Sequence, residues 1–203
     1  GWGGAGAFSD GKLTLTSEFG GNLEGYIGRE ALRKLIDEVD AEWVRYGADA
    51  PVFEPDPDFA RETVKKGRFA GLKVIPARIR HIGTDCSKEV LGRIWSYLSE
   101  TCTVHLNTEV KTITTEGGRV TGVELADGTP VEARRVLLSP GREGAHWIER
   151  VAEEQKLEVA SLPVDIGVRV EIPREWSDYL TEQFYEVKAL FNTLAAVLTC
   201  VRD

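Results

Sequence analysis

Nine of the chain's 21 glycines fall within its first 28 residues: Gly1, Gly3, Gly4, Gly6, Gly11, Gly20, Gly21, Gly25 and Gly28. That density rules out a helix interior, where each glycine costs about 1 kcal/mol relative to alanine. It marks a loop whose backbone approaches something closely, because only a residue without Cβ lets main chain lie flat against a neighbour. Gly1, Gly3 and Gly6 also satisfy the spacing G-x-G-x-x-G. This spacing binds dinucleotides only where a strand precedes it and a helix follows, since the pyrophosphate rests on the helix N-terminus. Here no strand precedes it and Ser9-Asp10-Gly11 follows, so the match to that fingerprint is accidental. The chain has no methionine and opens on glycine, which points to a piece of something longer.

Beyond the glycines, hydrophobic period organises the chain. A helix is predicted over about 29–46. Leu32, Leu35, Ile36, Val39, Trp43 and Tyr46 share one face, with Arg33, Lys34, Asp37 and Glu38 opposite, and the apolar stripe reads as core packing. Three prolines in residues 51–58 end any regular element. A second helix is predicted over 87–98, burying Val90, Leu91, Ile94 and Leu98, with Asp85 or Ser87 placed to cap it. The period then changes. Residues 109–115, 119–125 and 129–133 read as a three-stranded antiparallel meander, joined at Gly117-Gly118 and Asp127-Gly128, whose conformational freedom suits tight hairpins. The apolar run 136–138 predicts a strand buried on both faces, ending at SPGREG. A helix resumes near Gly144 with Ile148, Val151 and Ala152 inward. A further strand is predicted over 166–172 and a helix over 186–203.

Composition narrows the function classes. With 203 residues, 42% of them hydrophobic, the chain is long enough to bury the core of one large domain. Its net charge of −8 argues against sequence-independent nucleic-acid binding, which needs a basic face, and against an anionic membrane surface. No run approaches the roughly 18 apolar residues of a membrane span. Cys86, Cys102 and Cys200 give neither a disulfide framework nor a zinc spacing, so a reducing, cytoplasmic setting is expected and no metal site is. Cys86 has no neighbouring cation to activate its thiol, and neither His105 nor His146 has a metal-binding partner at helical spacing.

Four strings carry a family resemblance: GWGGAGAFSDGKLTL (1–15), RHIGTDCSKEVL (80–91), RRVLLSPGREG (134–144) and PVDIGVRVEIP (163–173). In this order they resemble FAD-dependent oxidoreductases of the glutathione-reductase-like superfamily, particularly a bacterial group of FAD-utilising dehydrogenases. The resemblance covers about residues 1–180. It implies an α/β fold: a partial Rossmann-type FAD-binding layer with the antiparallel meander and flanking helices. The N-terminal dinucleotide-binding unit is lacking. The corresponding divisions are 1–85 (flavin loop and helical segment), 86–185 (helix, meander and return strand) and 186–203 (tail).

The resemblance also implies FAD as cofactor and flavin-mediated hydride transfer with a small-molecule substrate. Gly3, Gly4, Ala5, Ser9, Asp10 and Gly11 would line the FAD, with Lys12 nearby as a catalytic candidate. Val110 matches a position that holds adenine through main-chain bonds. Gly141 would pack on the cofactor at a strand end, where open α/β sheets bind ligands. Arg142 would reach a phosphate or form an exposed salt bridge. His81 lies before Gly83-Thr84-Asp85 at a helix start, on the substrate side, and is either a proton donor or a structural histidine. The competing expectation is a non-enzymatic truncated module that works through a partner. Either way, exposed apolar surface is expected to drive self-association.

Overall fold

The computed structural model describes residues 2–18, 20–160, 166–168, 170–191 and 196–201. After a short 3-10 turn at Gly4–Phe8 the chain forms β1 (Lys12–Thr14), α1 (Glu24–Ile27), α2 (Arg29–Arg45), β2 (Val52–Phe53) and α3 (Pro57–Phe69). Next come β3 (Leu72–Ile75), β4 (Ile79–His81) and α4 (Gly83–Thr101), then the meander β5 (Val110–Glu116), β6 (Arg119–Leu125) and β7 (Pro130–Glu132). The last elements are α5 (Ala145–Glu154), α6 (Asp178–Thr181), β8 (Glu186–Phe191) and β9 (Ala196–Val201). The protein is mixed α/β with three small sheets, ordered β1-β4-β2, β3-β8-β9 and β5-β6-β7. Every strand pair in them is antiparallel. Among the described residues no helix is long and apolar enough to cross a membrane.

Two compact units divide the chain, residues 1–104 with 170–203 and residues 105–169. The helix and meander grouped together as 86–185 in the sequence therefore fall in different units. In the larger unit the core gathers Val74, Phe184, Val187 and Ala189, with Phe59, Val64 and Leu180 packed against them. Helix α3 lies in a stretch where prolines pointed to irregular chain. Its Pro57 occupies the first turn, where a missing N–H is no loss, and the Asp56 carboxylate accepts from the amides of Asp58 and Phe59. Proline thus starts this helix instead of breaking it.

Helix α4 begins four residues before its predicted start, so Asp85 and Ser87 sit inside it and neither caps it. Val90 is fully buried and Leu91, Ile94 and Leu98 are half-buried, as the stripe predicted. The Trp2 indole donates to the Leu91 carbonyl at 2.8 Å and its ring lies 5.2 Å from Trp95. Helix α2 forms where expected, but none of its residues is buried. Its stripe was expected to be core; instead it is only partly covered, with Leu32, Ile36, Trp43 and Tyr46 half-buried while Leu35 is 41% and Val39 55% exposed.

The smaller unit is the meander with α5 along its outer edge. Both glycines of the first turn have positive φ, 56° at Gly117 and 77° at Gly118, as a tight hairpin requires. Trp147 Nε1 and Gln155 Nε2 of α5 donate to the Lys111 and Ile113 carbonyls of β5, at 3.0 and 3.1 Å. These side chains satisfy acceptors that an edge strand otherwise offers to another chain.

Three expectations are corrected. Residues 136–138 form no strand, and Leu137 is 92% exposed, since a doubly buried strand needs neighbours and none flanks this run among the described residues. The strand predicted over 166–172 is likewise absent from its described residues, and Ile166 is 94% exposed; Arg169 lies outside the described residues. The described residues of 186–203 are not helical: β8 and β9 pair antiparallel, and β8 also pairs with β3. A short apolar run does not distinguish strand from helix, and here the free edge of β3 decides it. Residues 192–195, 202 and 203 lie outside the described residues.

Candidate functional site

In the larger unit, the antiparallel register of β1 and β4 sets Lys12 directly opposite His81. The two residues singled out as catalytic candidates thus become cross-strand neighbours, although 69 positions (81 − 12) separate them. Lys12 Nζ lies 2.6 Å from Glu186 Oε2, and Lys188 Nζ lies 3.4 Å from Glu186 Oε1. The Glu186 side chain is only 3% exposed, so a buried carboxylate is balanced by two ammonium groups. His81 Nε2 is 3.8 Å from Asp10 Oδ2, beyond hydrogen-bond reach, and is buried without a hydrogen-bond partner among the described residues. The ring centroids of His81 and Tyr185 are 5.1 Å apart, with the planes tilted by 40°. Burial, followed by the Asp10 carboxylate, pushes the Tyr185 phenol above its usual range against the opposing pull of Lys12, so it stays protonated at neutral pH.

The glycine-rich loop leads into this cluster and its glycines are used in two ways. A Cβ on Gly11 would run into Ser87 Oγ and Ile82 Cγ1, and its φ of 71° already disfavours side chains. A Cβ on Gly3 would meet Leu91 Cδ1 at 3.0 Å. Both glycines therefore serve close packing against the chain's own α4 and Ile82 just before it. Gly4 has an equally unusual φ of 48° but open space where its Cβ would be. Gly4, Ala5, Ser9 and Asp10 are exposed, the first two within the 3-10 turn. Ser9 Oγ and Asp10 Oδ1 accept from the amides of Gly11 and Lys12, which fixes the loop's last turn.

In the smaller unit, a cavity of about 480 Å³ lies at the start of β5. Val110, Val123, Val136, Leu138, Pro140 and Trp147 give it largely apolar walls. The volume falls within the range of small-molecule sites, roughly 300–1,000 Å³. It brings Val110 together with the segment 136–144, two stretches the sequence marked independently. Gly141, with φ of 67°, and Arg142 are exposed in the loop between Pro140 and Glu143, both of which border the cavity. Neither Gly141 nor Arg142 lines it.

Three participants escaped sequence reasoning. Tyr185 and Glu186 carried no motif, and their role depends on β8 reaching residues more than a hundred positions earlier. Trp147 carried a usable signal: a tryptophan beside the inward positions of an amphipathic helix is rarely left to solvent. No group of His, Cys, Asp and Glu suited to a metal occurs among the described residues. Compared with known proteins, the chain matches no family model and no curated sequence.

Proposed function

We propose that this chain is the central part of a cytoplasmic FAD-dependent oxidoreductase that transfers hydride between a small-molecule substrate and flavin. In this reading the meander and segment 136–144 belong to a partial Rossmann-type layer, completed by a preceding dinucleotide-binding unit. The observation that carries it is the apolar cavity where Val110, which the family resemblance assigns to the cofactor, meets residues on either side of Gly141 and Arg142. Apolar walls and the Trp147 ring suit a flat heterocycle, and main-chain groups at Val110 would hold its polar edge. Within the larger unit, taken by itself, Gly4, Ala5, Ser9 and Asp10 are exposed in the loop that the resemblance assigns to the flavin. When bound, FAD supplies the redox chemistry. Lys12 and its cross-strand neighbour His81 are the candidate catalytic side chains, with His81 as the proton donor to the substrate.

Titration of FAD into the isotopically labelled chain, followed by NMR, tests this reading. Weak, saturable shifts of the Val110 amide and the Trp147 indole N–H are expected, because the helix N-terminus that binds pyrophosphate in such sites is not among this chain's motifs. Leu138→Asp should abolish them. Absence of both shifts at millimolar FAD would refute the proposal. Exposed Leu137, Ile166 and Val168 favour a second reading, a module that associates through apolar surface. Concentration-dependent association without flavin binding would select it.

A further inference from the structure

Two consecutive residues, Tyr185 and the first residue of β8, each engage one member of the Lys12–His81 pair. We infer that Tyr185 and Glu186 form a clamp that sets the reactivity of His81 and Lys12. The functional meaning of the clamp rests on the flavoprotein reading above; its chemistry does not.

Glu186 acts through charge. Its carboxylate is almost sealed from solvent, and Lys12 sits on one oxygen while Lys188 sits on the other. A carboxylate so placed fixes the direction of the Lys12 ammonium, because release of that ammonium leaves buried negative charge without its nearest counter-ion. Tyr185 acts through shape. Its ring lies tilted against the imidazole, and the protonated phenol adds no charge of its own. The contact restricts rotation of His81 and leaves Nε2 on the side of Asp10, where it has no hydrogen-bond partner among the described residues. Because Lys12 and His81 are register partners, one backbone step in β8 controls both. Tyr185 and Glu186 are thus positioning residues, acting through the two side chains they hold.

Residue-resolved chemical labelling of the folded full chain tests the clamp: acetylation of lysines and ethoxyformylation of histidines, read by peptide mass spectrometry. In the unmodified sequence Lys12 should react about tenfold more slowly than exposed Lys65, as expected for an ammonium in a buried charge-assisted bond. His81 should likewise lag behind exposed His146. Glu186→Gln should bring Lys12 close to the Lys65 rate, whereas Glu186→Asp, which keeps the charge, should hold it slow. Tyr185→Leu should speed His81, while Tyr185→Phe should not. A purely structural role predicts that all lysines and histidines accelerate together, in step with a falling melting temperature. Lys12 reacting as fast as Lys65 in the wild type overturns the clamp, and this comparison needs no variant to fold. So does a rate for Lys12 that ignores Glu186→Gln in a folded protein. Loss of FAD binding at Val110 and Trp147 with Lys12 still protected would instead overturn the flavin reading alone.

Discussion

Helices α2 and α4 carry the same sequence signal and are anchored by different forces. Both present large apolar side chains at helical spacing. In α4 this stripe is used: Val90 is sealed, and Gly11 lies so close to the Ser87 face that no side chain fits there. In α2 no residue is sealed: Leu32, Ile36, Trp43 and Tyr46 are half-buried, Leu35 and Val39 are exposed, and a mostly buried ion pair helps to tie the helix down. Asp40 accepts from Arg80 Nε at 2.8 Å and Nη2 at 2.7 Å, while Arg80 also donates to the Ala50 carbonyl. An amphipathic pattern therefore specifies which face a helix offers. It does not specify that a neighbour exists to take it.

The sharpest test of that contrast is Gly11→Val. It adds steric overlap with Ser87 and Ile82 to a left-handed backbone, and together these should destabilise the protein by about 4 kcal/mol. Gly4→Val meets open space and should lose only about 1 kcal/mol, from its backbone conformation. Urea denaturation of the two variants measures the difference; equal losses would mean that α4 and the loop do not pack as described.

Asp40→Ala should follow, at about 2–3 kcal/mol, because Arg80 is left mostly buried without its bidentate partner. Hydrogen bonding from Arg80 holds the Asp40 carboxyl below the usual carboxylate range, against a smaller opposing effect of burial. A depressed folded-state pKa stabilises the fold above the unfolded value and loses that contribution as pH falls through the folded one. Urea midpoints measured from about pH 6 down to about pH 2 should therefore decline, and less steeply in Asp40→Asn.

Val90→Ala removes two methyl groups from a closed site and should destabilise α4 by about 2 kcal/mol. Leu35→Ala on α2 should stay under about 1 kcal/mol, since the side chain is already partly in water. Thermal melts of this pair isolate the apolar half of the comparison. A loss at Leu35 as large as that at Val90 would show that something covers the α2 face in solution.

What was legible in the sequence was local. The meander was readable because Gly117-Gly118 and Asp127-Gly128 mark turns whose backbone few other residues adopt. Helices α2, α4 and α5 followed from their own periodicity. Helix α3 was hidden because proline was read as a breaker, although Asp56-Pro57 is a strong start signal. In the candidate site, Lys12 and His81 were marked by family resemblance, and their adjacency came only from the β1–β4 register. Gly11 was marked for the wrong partner: its lack of a side chain is demanded by Ser87 and Ile82, whatever else approaches the loop.

By itself, then, the sequence determined the turn positions of the meander, the apolar faces of α2, α4 and α5 and the balance of charge, because these depend on residues within a few positions of one another. Tertiary structure alone decided that β8 and β9 are strands, that the α2 stripe is only partly covered, and that Glu186 reaches Lys12 across 174 positions. Each of those outcomes turns on whether a distant segment supplies a free strand edge, an apolar surface or a counter-charge, and no local pattern encodes the arrival of a partner.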